Sequence, residues 1–408
     1  MKVYLLATLD TKGVEAAFLR DELALLGVPA ALVDTGCLAQ PAVAADVPRE
    51  QVFAAAGASL DELRALQDRG RAIGAAASGA ACLARSLHDA GQLAGVIGLG
   101  GSAGTTIATS AMRALPIGVP KLMISTLASG QVRPWVGDKD ILMLNAVVDL
   151  LGINRISRSI LQTAARAMAG MVRFRETLRP AAAGDRPLLA ATMFGVTTPC
   201  LTAARELLEE AGYEVLVFHA TGNGGQAMES LIAEGLIAGV LDITTTELAD
   251  ELVGGILSAG PERLTAAGKR GVPQVISVGA LDMVNFGPPE TVPAQFKVRK
   301  FYRHNPTVTL MRTTVEENRR LGREIGAKAS AAAGPVAILL PQRGVSALDR
   351  EGQPFDDPAA RRALFAGINE TAAGVPVEEF DLHINDPAFA QAAANRLLEM
   401  LRASRPAG

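Results

Sequence analysis

Aromatic side chains are scarce in this 408-residue chain, at 4% of all residues with a single tryptophan. A core without large rings is built from Ala, Val, Leu and Ile, and 41 glycines add many small-residue turns. That composition suits an α/β architecture. Cysteine is equally sparse. Cys37, Cys82 and Cys200 stand far apart, make no CxxC pair and are odd in number, which argues against a disulfide framework and for a reducing compartment. The net charge of −3 leaves no basic surplus to neutralise a phosphate backbone, so nucleic acid is not an expected partner. The N-terminus MKVYLLATLDTKG has only a few apolar residues before Asp10 and Lys12. It is too short for a signal core or a membrane span and reads as the first strand of a cytoplasmic protein, with no membrane partner.

Familiar catalytic signatures are missing as well. His88, His219, His304 and His383 fit no i, i+4 or Cys/His spacing, so no protein-held metal is expected. Magnesium is admissible only as the companion of a nucleotide, held by it and one carboxylate. Cys200 follows Thr197-Thr198-Pro199 near a helix start and reads as a small buried hydrophobe.

What the chain does contain is a regular alternation of apolar runs, small-residue turns and helical patterns. Strands are expected at Val3–Thr8, Pro29–Val33, Gly95 onward and Lys121–Ser125. Helices are expected at Val14–Leu26, from Ser59 (with Glu62 as a capping box) to about His88, at Ile141–Leu150 and at Arg155–Val172. The segment 178–187, LRPAAAGDRP, reads as a linker, dividing the chain into domains 1–180 and 186–408. The pattern then restarts, with strands at Leu188–Met193, Glu214–His219, Gly239–Asp242, Gln274–Val278 and Val336–Leu340. Stretches of the two halves correspond in order: 26–36 with 211–222, 95–101 with 239–245, and 118–125 with 271–277. The expectation is α/β, with two Rossmann-like, doubly wound domains of mainly parallel sheets. Ligands then bind beyond the carboxyl ends of the strands, in an interdomain cleft.

The stretch Gly95-Val-Ile-Gly-Leu-Gly-Gly-Ser-Ala-Gly-Thr-Thr-Ile-Ala-Thr109 is the densest signal. A strand running through glycines into a helix start exposes unpaired N–H groups that can hold an anion, usually phosphate. Gly98-Leu-Gly100-Gly-Ser-Ala103 fits the loose dinucleotide pattern, but the next strand ends in Ser125-Thr126 without the ribose acid. Gly104-Thr105-Thr106 lacks the lysine of the other common phosphate loop. A plain anion nest remains, offered by Gly100, Gly101, Ser102, Ala103, Gly104 and Thr105.

Other strand ends supply small polar residues: Asp10, Thr11 and Lys12; Thr35 and Gly36; Thr221 and Gly222; Thr244, Thr245, Thr246 and Glu247. Helix N-caps account for several of these singly, and as a set they form a polar rim for a phosphorylated ligand. For proton transfer the candidates are Asp10, Lys12, Glu247, Asp282 and His219, beside Asp250 and His304. Lys12, Lys121, Arg133 and Arg312 are candidate phosphate clamps.

Several strings are similar to those of one family. Thr8-Leu-Asp-Thr-Lys-Gly13, Gly98-Leu-Gly-Gly-Ser-Ala-Gly-Thr105 and Gly118-Val-Pro-Lys-Leu-Met-Ile-Ser-Thr-Leu-Ala-Ser-Gly130 resemble the first domain of the Tm-1-like ATP-binding proteins. Phe218-His-Ala-Thr-Gly222, Asp242-Ile-Thr-Thr-Thr-Glu-Leu-Ala-Asp250, Gly279-Ala-Leu-Asp-Met-Val-Asn-Phe-Gly287, His304-Asn-Pro306 and Leu339-Leu-Pro-Gln-Arg-Gly-Val-Ser346 resemble its second. The resemblance spans nearly the whole chain. It implies two Rossmann-like domains, binding of ATP or a related nucleotide, and a homodimer. It also implies a separate TIM-barrel protein as partner, since the tomato protein that names the family carries such a domain after a similar module. It supplies no accepted reaction. The leading expectation is therefore a nucleotide-binding or phosphorylated-ligand-binding protein, as an enzyme of small-molecule metabolism. The alternative is a non-catalytic sensor or regulatory subunit whose lobes close on a ligand.

Overall fold

The computed structural model describes residues 1–174 and 185–404. The chain divides into two compact units, Met1–Ala182 and Ala183–Gly408. The expected linker 178–187 lies, up to residue 184, outside the described residues.

The first unit begins with β1 (Lys2–Ala7), α1 (Leu9–Leu25) and β2 (Ala30–Asp34). Three helices follow: α2 (Arg49–Ala55), α3 (Leu60–Ala65) and α4 (Arg69–Asp89). Then come β3 (Leu93–Gly100), α5 (Ser102–Arg113), β4 (Lys121–Ser125), α6 (Arg133–Val136), β5 (Leu142–Asn145) and α7 (Arg155–Arg173). The strands lie in the order β2-β1-β3-β4-β5, all pairs parallel. A parallel sheet is covered on both faces, so its central strands are apolar throughout. All eight residues of β3 are buried. Along β1, Val3, Leu5 and Ala7 face the cluster formed with α1 and α7, while Tyr4 and Leu6 face α2, α4 and α5, as the two-residue period requires.

The second unit runs β6 (Leu188–Met193), α8 (Thr198–Glu210), β7 (Glu214–His219), α9 (Asn223–Ala233), β8 (Gly239–Thr244), α10 (Glu247–Val253), α11 (Ala266–Arg270) and β9 (Gln274–Gly279). An excursion of β10 (Met283–Phe286), β11 (Phe301–Asn305) and β12 (Val308–Arg312) follows. The unit closes with α12 (Val315–Ser330), β13 (Val336–Pro341), α13 (Pro358–Thr371), β14 (Val377–Phe380) and α14 (Pro387–Ala403). Its six-stranded sheet, β14-β13-β9-β8-β6-β7, is again parallel and repeats the strand order of the first unit with one strand added. The internal correspondence holds in position: 26–36 and 211–222 overlap β2 and β7, 95–101 and 239–245 overlap β3 and β8, and 118–125 and 271–277 overlap β4 and β9.

Several local expectations are corrected. Ile141–Leu150 is not a helix. Leu142–Asn145 pairs in parallel with Leu122–Ser125 as an edge strand; four apolar residues in a row cannot separate the two periods, and pairing decides. The first helix starts at Leu9, ahead of Val14, because its early turns are polar and Lys12 departs from helical geometry (φ −126°, ψ 18°). The helical stretch after Ser59 breaks at Gln67, which has φ +51°, so Ser59 caps α3 and Asp68 caps α4. Helix α2 (Arg49–Ala55) lies outside the expected helices. The antiparallel sheet β10-β12-β11 was not foreseen.

Helices α12 and α13 touch at backbone level. A Cβ on Gly322 would meet the Leu364 carbonyl at 2.1 Å, and one on Gly367 the Arg319 carbonyl at 2.2 Å. Gly367→Ala is expected to force the pair apart and destabilise the protein by about 1–3 kcal/mol, read as a lower urea midpoint. An unchanged midpoint would contradict the close packing.

Candidate functional site

In a sheet of order 2-1-3-4-5, ligands lie beyond the carboxyl ends of the strands where the winding reverses, here between β1 and β3. Two loops meet there: Thr8–Gly13 entering α1, and Gly100–Thr106 entering α5.

The α5 loop is closed tightly by its glycines. A Cβ on Gly104 would stand 3.0 Å from the Leu99 carbonyl, and one on Gly100 3.0 Å from Gly104 Cα. The N-cap is Gly101, and no side chain caps the helix. Thr105 is fully buried; its hydroxyl donates to the Gly101 carbonyl (2.8 Å) and meets Ser125 Oγ (2.7 Å), locking the loop to the end of β4. Thr106 donates to the Ser102 carbonyl and accepts from Trp135 Nε1. The threonines therefore brace the loop, while Gly101, exposed Ser102 and Ala103 present its open first turn.

The α1 end is arranged in the opposite sense. Asp34, at the end of β2, accepts from Leu9 N (3.1 Å), Gly36 N (2.9 Å) and Arg49 Nε (2.7 Å). Asp10 accepts through Oδ2 from Leu38 N (2.9 Å) and Ala39 N (3.3 Å), with Arg49 Nη1 at 3.9 Å. Gly36 is required beside it, since a Cβ would meet the Asp10 carboxyl carbon at 2.7 Å. Thr11 and Thr8 share a hydroxyl contact of 2.8 Å. Lys12 donates to the Leu150 carbonyl. Two carboxylates already answer this helix start, so an added anion is favoured at α5.

Two hollows flank the α5 loop. On one side lies a recess of about 60 Å³, whose walls include Thr8, Asp10, Thr35, Arg69 and Ala103. On the other, Thr126, Ser129, Asn145 and Asp149, at the ends of β4 and β5, line a polar hollow of about 370 Å³. Arg69 and the second hollow escaped sequence reasoning: an arginine opening a helix carries no signal, and reading 141–150 as helix hid the end of β5. Cys37, also on the recess, has its thiol pushed up by burial and then by Asp10.

In the second unit a carboxylate of the chain occupies the start of the helix that follows β7. Glu247, fully buried, accepts through Oε1 from Gly222 N (2.7 Å) and Gly225 N (3.1 Å) at the start of α9. Its Oε2 receives Arg263 Nε at 2.6 Å. Arg263 also makes a bidentate pair with Asp242 (2.6 and 2.8 Å) and reaches Glu229 at 3.3 Å. Burial pushes the Glu247 carboxyl up and Arg263 pulls it back; a short pair plus two N–H donors is the geometry of an ionised carboxylate. The threonines are likewise engaged inside. Thr244 Oγ1 meets Thr197 Oγ1 at 2.8 Å, Thr245 donates to the Ser277 carbonyl, and Thr246 is fully buried with its hydroxyl unpartnered. Thr221 donates to the His219 carbonyl, and exposed His219 packs on Phe194 with centroids 5.4 Å apart.

Asp282 is fully buried after β9, accepting from Ser346 Oγ at 2.8 Å. Burial and the neighbouring Asp349 carboxylate push it up to about 7. Asp250 is pushed up to about 7 by burial, although it accepts from Asn285 N and Nδ2. Of the other candidate clamps, Lys121 is buried against Asp140 (2.6 Å) and Arg312 against the Phe355 carbonyl (2.8 Å). Arg133 and His304 are exposed, on α6 and β11. Among the described residues, no group of three or more His, Cys, Asp or Glu side chains is gathered for a metal, and no helix is long and apolar enough to cross a membrane.

These features define a class: a protein of two doubly wound parallel α/β units, the first with a glycine-capped helix start after β3 and the second with a buried carboxylate–arginine cluster at the end of β8. The chain belongs to the uncharacterised protein family UPF0261, whose N-terminal domain matches residues 1–177 and whose C-terminal domain matches residues 186–401. A UPF0261 protein of Clostridium tetani is 49% identical over 402 residues, covering 98% of this chain and 99% of that one. The ToMV resistance protein Tm-1(GCR237) of Solanum lycopersicum is 47% identical over 323 residues, 78% of this chain and 43% of its own. The resemblance read from the motifs is thus borne out. Among solved structures, a UDP-N-acetylglucosamine 2-epimerase from Rickettsia bellii matches with a TM-score of 0.21 and 10% identity over 67% of this chain and 77% of that one, which lends no argument.

Two outcomes follow from the buried charges. Arg263→Met leaves Asp242 and Glu247 buried without their cation and is expected to cost about 3–5 kcal/mol in urea unfolding. Asp282 is an acid whose folded pKa lies above its unfolded one, so the folded state holds the extra proton between about pH 4 and 7 and stability falls as pH rises through that window. Asp282→Asn is expected to flatten this fall, gaining stability at pH 8 relative to pH 5. An unchanged slope would remove Asp282 as its source.

Proposed function

We propose that the first unit binds an anionic, phosphate-bearing small molecule at the N-terminus of α5. The supporting observation is the contrast between helix starts. The starts of α1 and α9 are answered by the chain's own carboxylates, Asp34 and Glu247, whereas α5 begins on glycine with no side-chain cap. Unpaired N–H groups at a helix start favour phosphate. ATP or a related nucleotide, with magnesium as its companion, is the ligand the family resemblance supports. The 370 Å³ hollow beside Thr126 falls within the size range of small-molecule sites. Asp10, Thr11, Thr35 and Gly36 stand on the opposite side, and Ser102 and Ala103 between.

Our reading extends to an enzyme of small-molecule metabolism acting as a cytoplasmic homodimer with a separate TIM-barrel protein. Exposed apolar residues at the β5 edge and the start of α7, Leu142, Val147, Leu151 and Ile156, suit a subunit contact.

Isothermal titration of the full chain with ATP and magnesium tests the binding claim. Wild type is expected to bind, and Gly101→Asp to weaken binding at least about tenfold by placing a carboxylate where phosphate would sit. The site tolerates the side chain, because the nearest atom to a Cβ there is Thr126 Oγ1 at 3.7 Å. No heat and no thermal shift with wild type, or equal binding by the variant, would overturn the proposal.

A further inference from the structure

We infer that the recess at the carboxyl ends of β1 and β2 takes the hydroxylated end of a short anionic polyol, whose charged group is a phosphate or a carboxylate. This rests on the anion reading of the α5 start and names the chemistry of the group beside it.

Two polar groups that face the recess lack a protein partner. The Thr35 hydroxyl makes no hydrogen bond with any described residue, although the residue is 2% exposed. Asp10 spends Oδ2 on Leu38 N and Ala39 N and leaves Oδ1 without a partner, on a side chain 2% exposed. A carboxylate oxygen only accepts, so the missing partner must donate. Inorganic phosphate keeps a hydroxyl donor at physiological pH, but its negative charge is repelled by the Asp10 carboxylate. An ammonium could, but Arg49 already stands 3.9 Å from Asp10 and Arg69 lines the same recess. An uncharged hydroxyl, donor and acceptor at once, answers both Asp10 and Thr35.

Size narrows the class. A recess of about 60 Å³ holds about four water-sized groups, at roughly 15 Å³ each. Nucleosides occupy pockets several times larger, of about 300 Å³ and upward. Two or three carbinol units fit, with their C–H faces toward Ile73, Ala76 and Ile107. The anionic end is placed by Arg69, which opens α4 and forms no ion pair with any described residue, and by Ala103 in the first turn of α5. The second unit provides an internal parallel. The correspondence of 95–101 with 239–245, carried two residues on, sets Glu247 against Ala103. Where the second unit inserts its own carboxylate, the first keeps a methyl group and an open recess.

The test is calorimetric titration of the full chain with ATP, inorganic phosphate, ribose 5-phosphate and erythronate, repeated for Thr35→Val and Thr35→Ser. One of the two polyol anions is expected to bind about tenfold more tightly than phosphate, and which one does so identifies the charged group. Thr35→Val should lose that advantage, Thr35→Ser should keep it, and phosphate affinity should stay within about twofold in both. Polyol anions binding no better than phosphate, or an advantage untouched by Thr35→Val, would overturn the inference while phosphate or ATP binding persists. Failure of every ligand, ATP and phosphate included, would instead bring down the anion reading with it.

Discussion

Helix starts that meet the carboxyl ends of a parallel sheet leave N–H groups unpaired, and every loop of the site answers that constraint in some way. At α1 the answer is Asp34, whose carboxylate joins the helix start, the turn after β2 and Arg49 of α2. At α9 it is Glu247, fixed by Arg263. At α5 neither occurs. A glycine N-cap, two threonines that brace the loop from within and an alanine on the first turn leave that start open beside two hollows. The open glycine start of α5 is what gives the first unit its functional reading.

The buried charges of the second unit are engaged with one another. Arg263 is fully enclosed and shares its donors among Asp242, Glu247 and Glu229. Such a cluster gives little net stability over an apolar replacement of similar shape, but losing one member strands the others. It links the end of β8, the start of α9 and the segment before α11, holding the loops at this edge in one arrangement. Asp282 and Asp250 follow the same logic farther along the edge. Burial favours their protonated forms, and their hydrogen bonds fasten β10 and the loop after β13 to the main sheet.

Much of the fold was legible because it rests on local patterns. The central strands are continuous apolar runs between small-residue turns, and Lys121–Ser125, Leu188–Met193 and Glu214–His219 fall where those runs predict. Errors arose where the pattern was too short or was interrupted. Ile141–Leu144 carries no usable period, and pairing with β4 makes it a strand. Lys12 disturbs the first turns of α1, and Gln67 splits one helical stretch in two. In the site, the glycines of 98–104 were readable as a turn that exposes N–H groups. The destinations of Lys12, Lys121 and Arg312, all candidates for phosphate, were not, since a cation's partner is set by distant chain: the Leu150 carbonyl, Asp140 and the Phe355 carbonyl.

The sequence by itself determined the class, the family, the order of elements in the two halves and the presence of a glycine-rich helix start, because each depends on residues near one another in the chain. Only the tertiary structure decided which helix starts are already answered by a carboxylate and which is open. It also decided that Thr35 and Asp10 share a recess with Arg69. Those facts depend on side chains brought together across strands of a parallel sheet, where contact follows strand order and leaves no trace in local spacing.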